Sequence, residues 1–180
     1  MSESKNVEVG SRTNPVIDDL DTKFTEGRKS ILVDKRIYSG GKSKIHNNLK
    51  ADSQALPLSS NAADLFVSKD VFCSQGFMTY DSQGYIVTEK VGDFKLIAKE
   101  WFRVAKPGGI AIIIETLTPY EGLSNKLDNA FHDAGFVRKP EELLEHGEIA
   151  KLFKENSPLN NPSSYDTPGT NMFALVYHKP

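Results

Sequence analysis

The sequence predicts an α/β fold built on a mostly parallel β-sheet. Short β-branched runs alternate with helical stretches along the chain, and this order is typical of a parallel sheet covered by helices. The run from Ile110 to Ile114 is apolar at every position, as expected of a central strand buried on both faces. No internal repeat is visible, and 180 residues can bury one core without disulfides. We therefore expect a single domain spanning residues 1–180.

Seven strands are predicted, most of them short and bounded by polar or turn-forming residues. In chain order they are Asn6 to Val9, Ile31 to Asp34, Asn48 to Ala51, Asp64 to Ser68, Gly109 to Glu115, Phe136 to Arg138, and Asn171 to His178. The fifth is the apolar run already described. Strands of this length in alternation with helices are typical of βαβ units.

Three helices are predicted between these strands. The first, Asp93 to Val104, places apolar residues at three- and four-residue spacing and ends at the breakers Pro107 to Gly109. The second, Ser124 to Asp133, ends before Gly135, a residue suited to a helix C-terminus. The third, Pro140 to Glu155, has an apolar set that includes Leu143, Leu144, Ile149, Leu152 and Phe153.

Two stretches lack regular periodicity and are predicted to be loops. Residues 74–91 hold several aromatic residues among glycines and polar residues, and residues 156–170 are rich in Pro, Asn and Ser. Loops of this length in a compact domain are commonly functional or disordered. We expect both to act as lids or substrate loops.

The nearly balanced charge argues against a protein that binds nucleic acid. The chain carries 22 Lys and Arg against 24 Asp and Glu, a formal net charge of −2, and the basic residues are spread. Binding to a nucleic-acid backbone is therefore not expected.

The single cysteine, Cys73, cannot form an internal disulfide or a cysteine-based zinc site, and the four histidines lack metal-binding spacing. No metal is expected.

The amino terminus carries no apolar run of the kind found in secretory signals. Residues Met1 to Asn6 are polar, and the longest apolar stretch is too short to cross a bilayer. We expect no membrane partner and a cytoplasmic location, where a lone cysteine stays reduced.

The ends of the first three predicted strands carry residues suited to binding a ligand. Gly10 allows a close backbone turn after the first, Asp34 ends the second, and Asp52 follows the third. In an open parallel sheet, ligands bind beyond the carboxyl ends of the strands, where strand order reverses. An acid at the second tip can accept both hydroxyls of a ribose, and one at the third can accept from an exocyclic amine such as that of adenine. The pattern favours a ligand that contains a nucleoside.

Three segments of the chain carry a further pattern: Asp52 to Pro57 (Asp-Ser-Gln-Ala-Leu-Pro), Asn61 to Ser68, and Lys99 to Ile113 with its Arg-Val-Ala-Lys-Pro-Gly-Gly turn. In this order and spacing they resemble the class I S-adenosylmethionine-dependent methyltransferases. The resemblance covers residues 5–136, with a closing strand at Asn171 to Tyr177. It implies a Rossmann-like fold with a seven-stranded sheet, an antiparallel C-terminal strand and helices on both faces. The implied cofactor is S-adenosylmethionine.

The resemblance also implies where the cofactor binds. The implied site residues follow the first four strands and comprise Glu8, Gly10, Ser11, Arg12, Asp34, Lys35, Asp52, Ser53, Gln54, Ser68 and Lys69. Asp70, the next residue, would face the substrate. The glycine-rich first motif of the family is incomplete here, since Arg12 stands where a second glycine is usual. The side chain of Arg12 could fill part of the site or pair with the carboxylate of the cofactor.

Several of these residues also have a purely structural interpretation. Glu8 can cap or pair at a strand end, and Asp52 can start the turn before Pro57. Asp64 at a strand start, Gly108 and Gly109 in a turn, and Trp101 in the core are interpreted as structural.

Two nucleotide motifs can be set aside. Ser39 to Ser43 ends like a phosphate-binding P-loop, but Arg36 occupies the position of its first glycine and no helix pattern follows. No Gly-x-Gly-x-x-Gly follows the first strand, so a dinucleotide-dependent hydride transfer is not indicated.

Methyl transfer from a sulfonium requires in-line positioning of the acceptor, and a hydroxyl acceptor also needs a base. Asp70 is the first candidate base, followed by His46, His132 and Glu115. We expect a small polar acceptor such as a sugar or another metabolite. Two alternatives stay open: a non-catalytic protein that keeps the fold to bind cofactor or a partner, and an interaction module built on the aromatic residues from Phe77 to Tyr85. A homodimer is compatible with each of these functions.

Overall fold

The computed structural model describes residues 5–10, 16–26, 30–34, 47–72, 78–80, 86–89, 91–117, 122–157 and 171–180. The strands are β1 (Lys5–Val9), β2 (Ser30–Asp34), β3 (Asn47–Lys50), β4 (Ala63–Lys69), β5 (Met78–Tyr80), β6 (Ile86–Glu89), β7 (Ala105–Leu117), β8 (Leu143–Glu145) and β9 (Asn171–His178). The α-helices are α1 (Thr22–Thr25), α2 (Val91–Val104) and α3 (Leu123–Ala134), and 3-10 turns span Val16–Asp18, Pro140–Glu142 and His146–Leu152.

One seven-stranded sheet organises the fold, in the order β3-β2-β1-β4-β7-β9-β8. Strands β3, β2, β1, β4 and β7 pair in parallel, and β9 runs antiparallel to both β7 and β8. The predicted Rossmann-like sheet with an antiparallel C-terminal strand is confirmed. Because β2 and β3 lie on one side of β1 while β4 and β7 lie on the other, strand order reverses between β1 and β4.

Central strands alternate their side chains between two apolar layers. In β7, Ala111 and Ile113 belong to one layer, whereas Ile112 and Ile114 belong to the other. The first layer also holds Phe94, Trp101, Leu127 and Phe131 from α2 and α3, and the second holds Val16, Ile17, Leu20, Ile149, Leu152 and Phe153 from the turns on the opposite face. The apolar run of β7 is thus buried on both faces, as its composition predicts.

Trp101 is the centre of an aromatic cluster that joins α2 and α3 to the sheet. It is fully buried, its ring stacks on Phe66 at 5.0 Å between centroids, and Phe131 meets it edge-on at 5.6 Å. Its Nε1 has no hydrogen-bond partner among the residues that the structure describes. The contribution of this side chain is therefore packing rather than hydrogen bonding.

The first two predicted helices are confirmed, each slightly longer than its pattern indicates. Helix α2 begins at Val91 and α3 spans Leu123–Ala134. Gly135 ends α3 with φ of 106°, and its N–H donates to the carbonyl oxygen of His132 at 2.9 Å. A positive φ of this size favours glycine, which explains why the helix stops there.

Lys179, just after β9, joins this segment to the end of α2. Its Nζ donates to the carbonyl oxygens of Phe102 and Ala105, each at 2.8 Å, and to Asn61 Oδ1 at 3.0 Å. The backbone of Lys179 also exchanges hydrogen bonds with Gly108 and Gly109. The bond to Phe102 satisfies a carbonyl group in the last turn of α2, where a helix leaves such groups without intrahelical partners.

The predicted third helix, Pro140 to Glu155, is wrong. Strand β8 interrupts it, with Leu143 opposite Leu175 and Leu144 opposite Ala174 in the ladder with β9. Leu143 and Leu144 pack against opposite layers, as consecutive strand residues do. Pairing with β9 satisfies the backbone at this edge, and only short 3-10 turns form on either side.

Two further predictions differ from the structure. Phe136 to Arg138 makes only an isolated bridge, between Val137 and His178, so the seventh strand of the sheet is β8 instead. Residues 74–91 were expected to be irregular, but they include the antiparallel hairpin of β5 and β6.

Some predicted features lie outside the described residues. They are Ser11, Arg12, Lys35, His46, Cys73, the segment Ser39 to Ser43 and residues 158–170. Within the described part of the chain, no helix combines the length and apolar character needed to cross a membrane.

Replacing Trp101 tests the aromatic cluster. We expect Trp101→Ala to lower the free energy of unfolding by roughly 3–5 kcal/mol, because it leaves a cavity between two helices and the sheet. Trp101→Phe should cost less, since it keeps a ring against Phe66 and loses no hydrogen bond. Urea unfolding followed by circular dichroism measures both. Leu96→Ala, at an exposed position of the same helix, is the control, and an equal cost for Leu96→Ala and Trp101→Ala would contradict this account.

Candidate functional site

The candidate site is the carboxyl edge of the sheet around the point where strand order reverses. Strands β3, β2, β1 and β4 end side by side at this edge, at Lys50, Asp34, Val9 and Lys69. Ligands of open α/β sheets bind outside such an edge, at the reversal point. Of the predicted site residues that the structure describes, Gly10, Asp34, Asp52 and Ser68 therefore lie along one edge.

Gly10 turns the chain out of β1. Its N–H donates to the carbonyl oxygen of Val33 at 2.8 Å, and its φ of 78° is one that residues with a Cβ rarely adopt. A Cβ built on Gly10 would lie 3.6 Å from Val71 Cβ and would overlap Val71 Cγ2. The turns after β1 and β4 thus meet directly, and a glycine is required where they do.

Asp34 and Asp52 stand at the neighbouring strand ends. Asp34 is the last residue of β2, is partly exposed, and its carbonyl oxygen accepts from the N–H of Ala51 at 3.2 Å. Asp52 follows β3 and its Oδ1 accepts from the N–H of Gln54 at 3.0 Å, so it does form the local turn that its type favours. Ser53, between them, is buried.

Helix α2 anchors the chain after this turn. Glu100 Oε1 accepts from the N–H of Leu56 at 2.7 Å, and Arg103 Nη2 donates to the carbonyl oxygens of Leu56 and Leu58. Arg103 also bonds the Glu100 carboxylate, and this hydrogen bond holds the pKa of Glu100 below its ordinary value. The charged pair therefore fixes the segment that returns from β3 to β4.

Glu8 is buried in β1 and caps the following 3-10 turn. Its two carboxyl oxygens accept from the N–H groups of Val16 at 3.1 Å and Ile17 at 2.9 Å. Burial raises the pKa of Glu8 to about 7, although the two N–H groups lower it, and the carboxylates of Asp18 and Asp19 add to the rise. The structural interpretation of Glu8 as a cap is therefore realised in its hydrogen bonds.

Glu115, on β7, likewise accepts hydrogen bonds from the backbone of a turn. It is fully buried near the end of β7, and its Oε1 accepts from the N–H groups of Val71 and Phe72, both at 3.0 Å. It thereby holds the turn that follows β4. Glu115 is one of the candidate bases in the sequence, and its hydrogen bonds make it an anchor of the backbone.

The end of β4 carries the remaining predicted residues. Ser68 is fully buried, and its Oγ has no hydrogen-bond partner among the described residues. Lys69 Nζ pairs with the carboxylate of Asp70. Asp70 has a φ of 54°, and its N–H donates to the carbonyl oxygen of Ile114 at 2.9 Å, so the chain turns sharply away from the sheet here.

Two further residues considered from the sequence are His132 and Asp64. His132 is exposed on α3. Asp64, at the opposite end of β4, accepts from Lys106 Nζ at 3.1 Å.

Sequence reasoning missed Val71, the residue that closes the space beside Gly10. An isolated valine after a strand carries no chemical signal in a sequence. The anchoring role of Glu115 had a usable signal, because a carboxylate that ends an apolar strand must find hydrogen-bond donors.

No protein-family model matches the sequence, and no curated protein sequence matches it either. Solved structures do resemble its fold. A SAM-dependent methyltransferase from Methanosarcina mazei shares 11% identity and a TM-score of 0.59 over 99% of this chain and 93% of that one. Geranyl diphosphate C-methyltransferase from Streptomyces coelicolor shares 9% identity and a TM-score of 0.60, over 99% of this chain and 74% of that one.

The 4+2 cyclase SpnF is also similar, with 14% identity and a TM-score of 0.62 over 98% of this chain and 74% of that one. With the strand order of the sheet, these likenesses show that the chain has the fold of the class I S-adenosylmethionine-dependent methyltransferases. The resemblance seen in the sequence is confirmed at the level of the fold.

The buried Glu8 carboxyl makes stability depend on pH. Its pKa of about 7 in the folded chain exceeds the ordinary value of 4.5, so between these values the folded state retains a proton that the unfolded state has lost. Stability is therefore highest below pH 4.5 as far as this group is concerned, and should fall by roughly 3 kcal/mol as pH rises to 7.

Glu8→Gln removes the titrating carboxyl group. The free energy of unfolding in urea, measured between pH 5 and pH 8, should therefore decline less steeply with pH than in the unsubstituted protein. Glu148→Gln, at an exposed position, serves as the control and should leave the decline intact. If the free energy of unfolding fell equally with pH in Glu8→Gln and in the unsubstituted protein, the raised pKa of Glu8 would be contradicted.

Proposed function

We propose that the protein binds S-adenosylmethionine at the carboxyl edge of β3, β2, β1 and β4 and transfers its methyl group to a small polar acceptor such as a sugar or another metabolite. One observation carries the proposal: a tight glycine turn, a carboxylate at the end of β2 and a carboxylate after β3 stand in consecutive positions along this edge. Carboxylates in that arrangement can accept hydrogen bonds from the ribose hydroxyls and from the exocyclic amine of a nucleoside.

The proposed roles follow the order of the strands. Asp34 accepts the ribose hydroxyls and Asp52, with Ser53 and Gln54 beside it, faces the adenine. The buried Ser68 hydroxyl, without a partner among the described residues, supports the proposal because a bound polar group would satisfy it. Glu8 and Gly10 shape the turn after β1, and Ser11, Arg12 and Lys35 complete the proposed set.

S-adenosylmethionine, when bound, supplies a methyl group on a positively charged sulfur. The chain has to place the acceptor in line with that methyl group and exclude water, which is largely a matter of positioning. We assign Asp70 as the group that takes a proton from a hydroxyl acceptor. Its ion pair with Lys69 and its hydrogen bond to Ile114 hold it at the end of β4. The hairpin of β5 and β6, which follows this turn, is proposed as part of the acceptor side, together with residues 156–170.

A non-catalytic protein with the same fold is the second candidate. One observation favours it: Glu8 and Glu115, two carboxyls next to this edge, are engaged by backbone N–H groups and not presented to a ligand. The fold is also similar to that of the 4+2 cyclase SpnF, and a fold alone does not determine the reaction.

Calorimetric titration with S-adenosylhomocysteine tests the proposed site. We expect measurable binding, and a loss of at least about tenfold in affinity for Asp34→Ala, because the ribose hydroxyls lose a charged acceptor. Asp64→Ala is the matched control, since it removes a carboxylate from the opposite end of the sheet and should leave the affinity unchanged. Absence of binding to the unsubstituted protein would refute the proposal.

Turnover separates the two candidates once binding is established. The protein is incubated with S-adenosylmethionine labelled in its methyl group and with mixtures of sugars and polar metabolites. Transfer of the label that is reduced in Asp70→Asn supports the enzyme, and binding without transfer to any of them supports the non-catalytic protein.

A further inference from the structure

The turns after β1 and β4 meet across the reversal point of the sheet, and Val71 fills the space between them. Gly10 has no side chain, and the position that its Cβ would take is occupied by Val71 Cγ2. Val71 is partly buried and packs against the first apolar layer. The crevice in which an open α/β sheet binds its ligand is therefore narrowed by one aliphatic side chain.

The backbone holds Val71 in this place. Its N–H is bonded to Glu115 Oε1 at 3.0 Å, and the N–H of the preceding residue, Asp70, is bonded to the carbonyl oxygen of Ile114 at 2.9 Å. Both acceptors belong to β7, a central strand. Backbone hydrogen bonds to β7 thus hold Val71 in a defined position against the sheet.

The order of the strands determines which part of a ligand would meet Val71. Asp34 and Asp52 lie at β2 and β3, on one side of β1, whereas Val71 follows β4 on the other side. A nucleoside held by the two aspartates must therefore extend its 5′ substituent across Gly10 towards β4. This step rests on the proposed function, which assigns the ribose to Asp34.

We propose that Val71 is a specificity-determining residue that limits the size of the 5′ substituent accepted beside Gly10. Ser68 lies opposite Val9 in the ladder of β1 and β4, two residues before Asp70, and its buried hydroxyl lacks a partner among the residues described. In this proposal the Ser68 hydroxyl bonds a polar group of the substituent. Val71 thus discriminates between ligands that share the nucleoside and differ in the attached chain.

Two probes separate the nucleoside from its substituent. S-adenosylhomocysteine carries a homocysteine chain at the 5′ position, and 5′-deoxyadenosine carries only a methyl group there. Affinities for both are measured by calorimetry in the unsubstituted protein, in Val71→Ala and in Val71→Ile. Thermal unfolding of each variant verifies that it is folded.

We expect Val71→Ala to bind S-adenosylhomocysteine about tenfold more tightly, because it removes two methyl groups from the crevice, and Val71→Ile to bind it more weakly. Neither change should alter the affinity for 5′-deoxyadenosine by more than about twofold. A change that is equal for both probes, or absent for both, would overturn the role of Val71 while binding itself leaves the proposed function intact. Failure of every variant to bind either probe overturns the proposed function, and this inference with it.

Discussion

The turns around the candidate site depend on two buried carboxyl groups. Where a chain leaves a sheet, its N–H groups lose their ladder partners and need other acceptors. Glu8 supplies them for Val16 and Ile17 on one face, and Glu115 supplies them for Val71 and Phe72 on the other. The two glutamates lie on β1 and β7, the strands that flank β4 in order. The approach of Gly10 to the β4 turn follows from these bonds.

The layered part of the fold could be predicted from the sequence because its pattern is locally consistent. Ile110 to Ile114 reads as a doubly covered strand, and it alternates between two apolar layers in the structure. The spacing around Trp101 predicts a helix packed by one face, which α2 is. In both cases the hydrophobic period and the tertiary environment favour the same conformation.

The edge of the sheet and the hydrogen-bond partners of the site residues depend on tertiary contacts, which a local sequence pattern does not contain. Leu143 and Leu144 fit a helical spacing as well as a strand, and only the presence of β9 beside them decides for the strand. At the candidate site, Glu8 and Asp52 are residue types that serve equally as backbone caps and as ligand acceptors. Their partners are set by tertiary contacts, so the sequence could place them at the strand ends without defining what they bond.

The position of β9 has a consequence for how the sheet forms. This strand lies between β7 and β8 and pairs with both, although α3 and β8 separate it from β7 along the chain. The apolar edge of β7 therefore has no neighbour on that side until a segment distant in sequence reaches it, and such long-range contacts form slowly. An open hydrophobic strand edge invites pairing with other chains. Docking of β9 is thus the folding step that protects the centre of the sheet from association with other molecules.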